Sequence, residues 1–119
     1  MMYFEFREDR RPSWVPAVDV CERSDEIVIF VEIPGISRSD IKISWQEGVL
    51  TLTGYKRQPD AAIARYHCLE SSYGQFRRDI AITIPVETSR ARAELRDGLM
   101  RIYLPKRSQR ADSNEIPIV

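Results

Sequence analysis

Residues 26–33, Glu-Ile-Val-Ile-Phe-Val-Glu-Ile, constrain the fold more than any other stretch of the chain. Branched and aromatic side chains in a row fit a pleated backbone. Alternation puts Ile27, Ile29, Val31 and Ile33 on one face and Val28 and Phe30 on the other. A strand that is apolar on both faces lies deep in a sandwich or is covered by a partner. Pro34-Gly35 then stops it, because neither residue continues a ladder easily.

The remaining segments are shorter and carry the same signature. Residues 17–22 alternate weakly, and Ser37-Arg38-Ser39-Asp40 forms a polar corner. Ile41, Ile43 and Trp45 alternate with Lys42 and Ser44, and Glu47-Gly48 turns the chain into Val49–Thr53, so residues 40–54 read as a hairpin. Residues 73–84 resume the β pattern through Phe76, Ile80, Ile82 and Ile84, with Pro85 closing it. Ala91, Ala93 and Leu95 alternate with charged residues, Asp97-Gly98 is a second hairpin signal, and Leu99–Leu104 follows up to Pro105. No segment sustains a helical period over three turns. The pattern predicts an all-β, antiparallel sandwich.

Two segments do not belong to that pattern. Residues 56–72, 17 in number, hold no strong strand and are longer than a passive connection. Within them Ala62–Tyr66 reads as a short exposed strand. From Lys106 to Glu115 the chain is polar, and it finishes on Ile116-Pro117-Ile118-Val119. Ile116 and Ile118 point the same way in an extended chain, and Pro117 keeps the chain extended.

Composition narrows the function. A chain of 119 residues holds one domain. Lys+Arg and Asp+Glu both number 18, and a zero balance argues against a general nucleic-acid or anionic-membrane binder. It also removes the self-repulsion that keeps proteins apart. The longest apolar run, Ile27–Val31, is too short for a membrane span, and residues 1–11 alternate aromatics with charges instead of forming a signal-peptide core. The expected location is the cytoplasm, where Cys21 and Cys68 stay reduced. His67 adjoins Cys68, but neighbours in an extended chain point apart and chelate poorly. No HExxH, GxxxxGK or glycine-rich phosphate loop occurs. No catalysis, metal or cofactor is expected, although a Cys68/His67 nucleophile remains an open enzymatic reading.

In this order the motifs resemble those of the small heat-shock proteins, which are built on an immunoglobulin-like sandwich, the α-crystallin domain. Val18-Asp-Val-Cys-Glu, the β run after it and Ile33-Pro34-Gly35-Ile36 resemble the family's early strand pair and its turn. Asp40-Ile-Lys-Ile with Gly48-Val-Leu-Thr-Leu-Thr-Gly54 resembles its central hairpin. Ala93-Glu-Leu-Arg-Asp97-Gly98-Leu99-Met100, continued by Tyr103-Leu104-Pro105-Lys106, resembles its signature A-x-x-x-N-G-V-L. Ile116-Pro117-Ile118 resembles its C-terminal I-x-I anchor. The resemblance divides the chain into a short arm (1–13), the domain (14–106, with a dimerisation loop at 56–72) and a flexible extension (107–119).

The resemblance implies an ATP-independent holdase that binds partly unfolded client proteins. It implies a homodimer made by strand exchange, with Ala62–Tyr66 the swapped strand and Trp14–Val20 the receiving edge, and higher homo-oligomers beyond it. Trp14, Ala17, Ile63, Tyr66, Arg77 and Arg78 are then interface residues, the arginines through a salt bridge to Asp79 or across the dimer. The Ile116/Ile118 plug would fill a neighbour's groove lined by Ile43, Ala93 and Leu95. Met1, Met2, Tyr3, Phe4 and Phe6 would offer clients an adaptable apolar surface. The arm is short for the family, and the strand from Phe76 to Pro85 is two residues longer than usual. The alternative is a monomeric co-chaperone of the related CS-domain type, which needs neither the long loop nor the I-x-I end.

Overall fold

The computed structural model describes residues 14–107. Its strands are β1 (Val18–Glu22), β2 (Glu26–Glu32), β3 (Ile41–Gln46), β4 (Val49–Lys56), β5 (Gly74–Ala81), β6 (Arg92–Arg96) and β7 (Leu99–Pro105). One sheet has the order β1-β2-β7-β6 and the other β3-β4-β5, with every strand pairing antiparallel. This is the all-β sandwich that the alternation predicts.

β2 is the spine. It is hydrogen-bonded on both sides, to β1 and to β7, so none of its ladder is left to solvent. Ile27, Ile29 and Val31 join Met100, Ile102 and Leu104 of β7 and Leu50, Leu52, Phe76 and Ile80 of the opposite sheet in one core. Val28 is equally buried on the other face, level with Cys21 and Tyr103. Glu26 is buried too, and its carboxylate is held by Arg23 at 2.8 Å and Arg92 at 3.6 Å. Such partners replace the water that a carboxylate loses on burial.

The hairpin signals fold as expected. Glu47-Gly48 (φ 49° and 81°) and Asp97-Gly98 (φ 54° and 75°) each have two positive φ angles, the type I′ geometry that matches strand twist. They set the Gln46–Val49 and Arg96–Leu99 pairs. The second turn is also fastened to the corner after β2. The Ile33 N–H donates to the Gly98 carbonyl at 2.9 Å, and a Cβ at Gly98 would lie 3.0 Å from Pro34 Cα.

Three expectations shift. β5 stops at Ala81 instead of running to Ile84, because its partner β4 begins at Val49 and the Ile82 N–H already bonds the turn carbonyl of Gly48. Residues 62–66 form no strand in the single chain, which offers them no ladder. The stretch 14–20 is not one edge. Trp14 bridges Phe76 beside β5, and the chain then passes to the other sheet, where Ala17 accepts the Glu32 N–H at 3.0 Å.

That crossing closes one side of the sandwich around an aromatic stack. Phe76 lies opposite Gly54 in the β4–β5 register, with its ring over the glycine. Trp14 packs on Phe76 with ring centroids 5.1 Å apart, and its indole N–H donates to the Gly74 carbonyl at 3.1 Å. The Lys56 ammonium sits 5.9 Å from the Trp14 ring and 5.4 Å from Tyr73, within cation–π reach of both.

Two predictions follow from this packing. A Cβ at residue 54 would overlap both the Phe76 ring and the Asp40 carbonyl. Gly54→Ala should therefore cost about 1–3 kcal/mol by urea denaturation, as overpacked cores do. A change below about 0.5 kcal/mol would contradict the contact. The second prediction is pH dependence. The Arg57 hydrogen bond, at 2.9 Å, holds the Asp40 carboxyl below its ordinary pKa, and bonds from Thr51 and then Arg77 do the same for Asp79. Folded pKa values that are depressed add stability above the unfolded carboxylate value of about 3.9, and that stability is lost as pH falls through the folded values. Urea midpoints of the wild type and an Asp40→Asn/Asp79→Asn variant should differ at neutral pH and converge in acid. A gap that stays constant would show that these pairs do not set the acid limb.

Candidate binding cleft and assembly edges

β3 and β6 are outer strands, each paired on one side only. Between them lies a cleft with two adjoining hollows. One, of about 210 Å³, is walled by Ile43, Trp45 and Leu50 on one sheet, by Ala93, Ile102 and Leu104 on the other, and by Ala91 just before β6. The second, of about 390 Å³, is walled by Arg38, Ile41 and Ile43 on one side and Ala93, Leu95 and Met100 on the other. Alternation explains the lining. Ile41, Ile43 and Trp45 share one face of β3, and Ala93 and Leu95 share the face of β6 that pairs with Ile102 and Met100. Alanine at 91 and 93 leaves the space that a larger residue would fill.

The structure thus brings the expected trio together. Ile43 and Ala93 border both hollows, and Leu95 borders the second. Sequence reasoning missed Trp45, Ala91 and Arg38 as cleft residues, although the first two follow from the same alternation. Glu94, the one carboxylate among the described residues that borders the cleft, accepts a hydrogen bond from the Tyr103 hydroxyl at 3.3 Å. Arg92 lies 4.1 Å over the Tyr103 ring and also reaches Glu26. Arg92 and Glu94 of β6 are therefore engaged with β2 and β7.

The opposite side presents β1 as an outer strand. Val15 is 54% exposed and Val20 51%, and Ala17 is exposed between them. The loop from 57 to 73 exposes Leu69 and, less fully, Ile63. The Tyr66 hydroxyl is buried without a hydrogen-bond partner among the described residues. Trp14 is half-buried in the stack of its own chain. Arg77 pairs with its own Asp79 at 3.3 Å, and Arg78 donates to the Pro16 carbonyl at 3.2 Å, pinning the crossing segment to β5.

Cys21 and Cys68 are exposed free thiols, and Cys68 lies 3.6 Å from a Glu70 carboxylate oxygen. Among the described residues no three His, Cys, Asp or Glu side chains gather as metal ligands. The expected client-binding residues Met1, Met2, Tyr3, Phe4 and Phe6 lie outside the described residues, as do Ile116, Pro117 and Ile118.

Comparison with known proteins gives a consistent answer. Heat-shock protein HSP.16.4 of Streptococcus thermophilus is 33% identical over 99% of this chain and 89% of its own length. A small heat-shock protein from Xylella fastidiosa superposes with a TM-score of 0.75 at 25% identity, over 90% of this chain and 95% of that one. Heat-shock protein 16.0 of Schizosaccharomyces pombe gives 0.74 at 27% identity, over 89% and 99%. With residues 19–119 matching the family described as Hsp20/alpha crystallin, the chain belongs to that family of small heat-shock proteins.

Proposed function

We propose that the chain is an ATP-independent holdase that works from the cytoplasm as a strand-exchanged dimer and as larger homo-oligomers. Membership of the small heat-shock family supports a chaperone role. One observation carries the finer reading: apart from Tyr55 on β4, the exposed large apolar side chains among the described residues lie by the outer strand β1 and on the long loop. Val15 precedes β1 and Val20 lies within it, Ile63 and Leu69 stand on the loop, and the cleft opens between β3 and β6. Exposed edges invite pairing with another chain, and evolution normally blunts them. Loop residues 62–66 laid along β1 of a second copy would satisfy both ladders. The Tyr66 hydroxyl would gain surroundings in which to find a partner.

The tail supplies the next level of assembly. Ile116 and Ile118 act as two knobs for the cleft of a neighbouring copy, with Pro117 holding them extended. The high-order structure of the Xylella protein supports assembly beyond the dimer. Clients bind to Met1, Met2, Tyr3, Phe4 and Phe6 and to edges that assembly leaves open. No nucleic acid, membrane or cofactor takes part.

The function is tested by client turbidity on heating, with nucleotide removed and an inert protein as control. Suppression should appear near stoichiometric amounts, because a holdase occupies its client by mass action. No suppression at roughly a two-fold molar excess would end this reading. The dimer is tested separately. Replacing Pro59–Leu69 with a short polar linker should give a folded, monomeric sandwich by light scattering at low micromolar concentration. A deletion variant that remained dimeric would refute the exchange interface.

A further inference from the structure

The loop between β4 and β5 is fastened at its two feet. Lys56, the last residue of β4, pairs with Gly74, the first of β5. The Lys56 ammonium lies 5.9 Å from the Trp14 ring and 5.4 Å from the Tyr73 ring, so one cation joins both feet to the crossing segment. Trp14 closes the same corner, its indole N–H donating to the Gly74 carbonyl at 3.1 Å and its backbone N–H to that of Gln75 at 3.4 Å. Arg57, one step into the loop, donates to both carboxylate oxygens of Asp40, from Nε to Oδ2 at 2.9 Å and from Nη2 to Oδ1 at 3.0 Å. Such a fork fixes orientation as well as distance. Asp40 ends the short 3-10 turn Arg38–Asp40 that leads into β3, so the foot is tied to a third element.

Between the feet the pattern changes. Among the described residues, the hydrogen bonds of 58–72 stay inside the loop. The Ala62 N–H donates to Asp60 Oδ1 at 2.8 Å, the Ile63 N–H to the Asp60 carbonyl at 3.5 Å, and the Cys68 thiol to Glu70 at 3.6 Å. No ion pair among the described residues joins 58–72 to the sandwich. Ile63 and Leu69 are exposed on this span. A lid over its own chain would be tied along its length. An arm offered to another chain needs a firm base and a free span, and this loop has both.

We propose that Arg57 and Lys56 are positioning residues for the exchange loop. The Arg57–Asp40 fork, and Lys56 between Trp14 and Tyr73, set the direction in which the loop leaves the sandwich, so that a second copy meets it already aimed. The proposal rests on the strand-exchange reading above. Association restricts the loop, and a base fixed beforehand leaves less freedom to be lost at that moment. Both residues act through the loop and need no contact with the second copy.

The test is a dilution series of the full chain by analytical ultracentrifugation, paired with urea denaturation of each variant. Arg57→Gln and Lys56→Met should each raise the dissociation constant of the dimer about two- to fivefold, the scale of an exposed ion pair or cation–π contact. Asp40→Asn should match Arg57→Gln and add nothing to it, and the reversed pair Asp40→Arg/Arg57→Asp should restore most of the affinity. The dimer constant separates the two roles a contact can have, because a purely structural one lowers the urea midpoint without moving an equilibrium between folded species. Lower midpoints with an unchanged dissociation constant would therefore overturn the positioning role and leave strand exchange standing. A wild type that stays monomeric, or a chain lacking Pro59–Leu69 that dimerises as tightly as the wild type, would overturn the exchange reading and the proposal with it.

Discussion

A sandwich of four strands on three leaves four strands with a row of unpaired N–H and C=O groups: β1, β6, β3 and β5. Backbone polar groups must find partners or water, and this requirement organises the molecule more than its core does. The core is conventional. β2 and β7 face β4 and β5 through aliphatic side chains and Phe76, and burial of that surface drives folding. What distinguishes the chain is how each edge is treated.

On one side the edges are joined. The segment from Trp14 to Ala17 leaves β5, passes Pro16, whose carbonyl Arg78 holds, and enters β1. The Gly54–Phe76–Trp14 stack fills the gap at that crossing, so β5 is partly covered and β1 keeps its outer edge. On the other side the cleft with its alanines is open among the described residues. Family membership gives this asymmetry its meaning: a chaperone that assembles needs surfaces that are structured, apolar and available. The account assigns β1 to a second copy's loop and the cleft to a second copy's tail.

Much of this was legible in the residues. The family resemblance named Ile43, Ala93 and Leu95 as a groove, and the structure sets them around one cleft. Glu47-Gly48 and Asp97-Gly98 announced their turns because two positive φ angles admit few residue pairs. The misses have physical causes. Trp14 lies apart from a regular strand, and no periodicity reveals that a chain changes sheets at Ala17. The end of β5 at Ala81 is set by where β4 starts at Val49, a residue far away in the sequence. Glu26 reads as a polar strand end, yet it is buried under Arg23 and Arg92, because the pairings of β2 with β7 and of β7 with β6 are not visible from its neighbours in sequence. Residues 62–66 look like a strand and form none, since strand structure needs a ladder and the single chain offers none there.

The central claim is that the edge of β1 and the loop are two halves of one ladder completed between copies. Amide hydrogen exchange measured against protein concentration addresses it most directly. The account predicts that protection in Val18–Glu22 and in residues 62–66 rises together as the protein associates, while β2 and β7 stay protected throughout. Fast exchange in both segments at every concentration, or protection in one without the other, would contradict it.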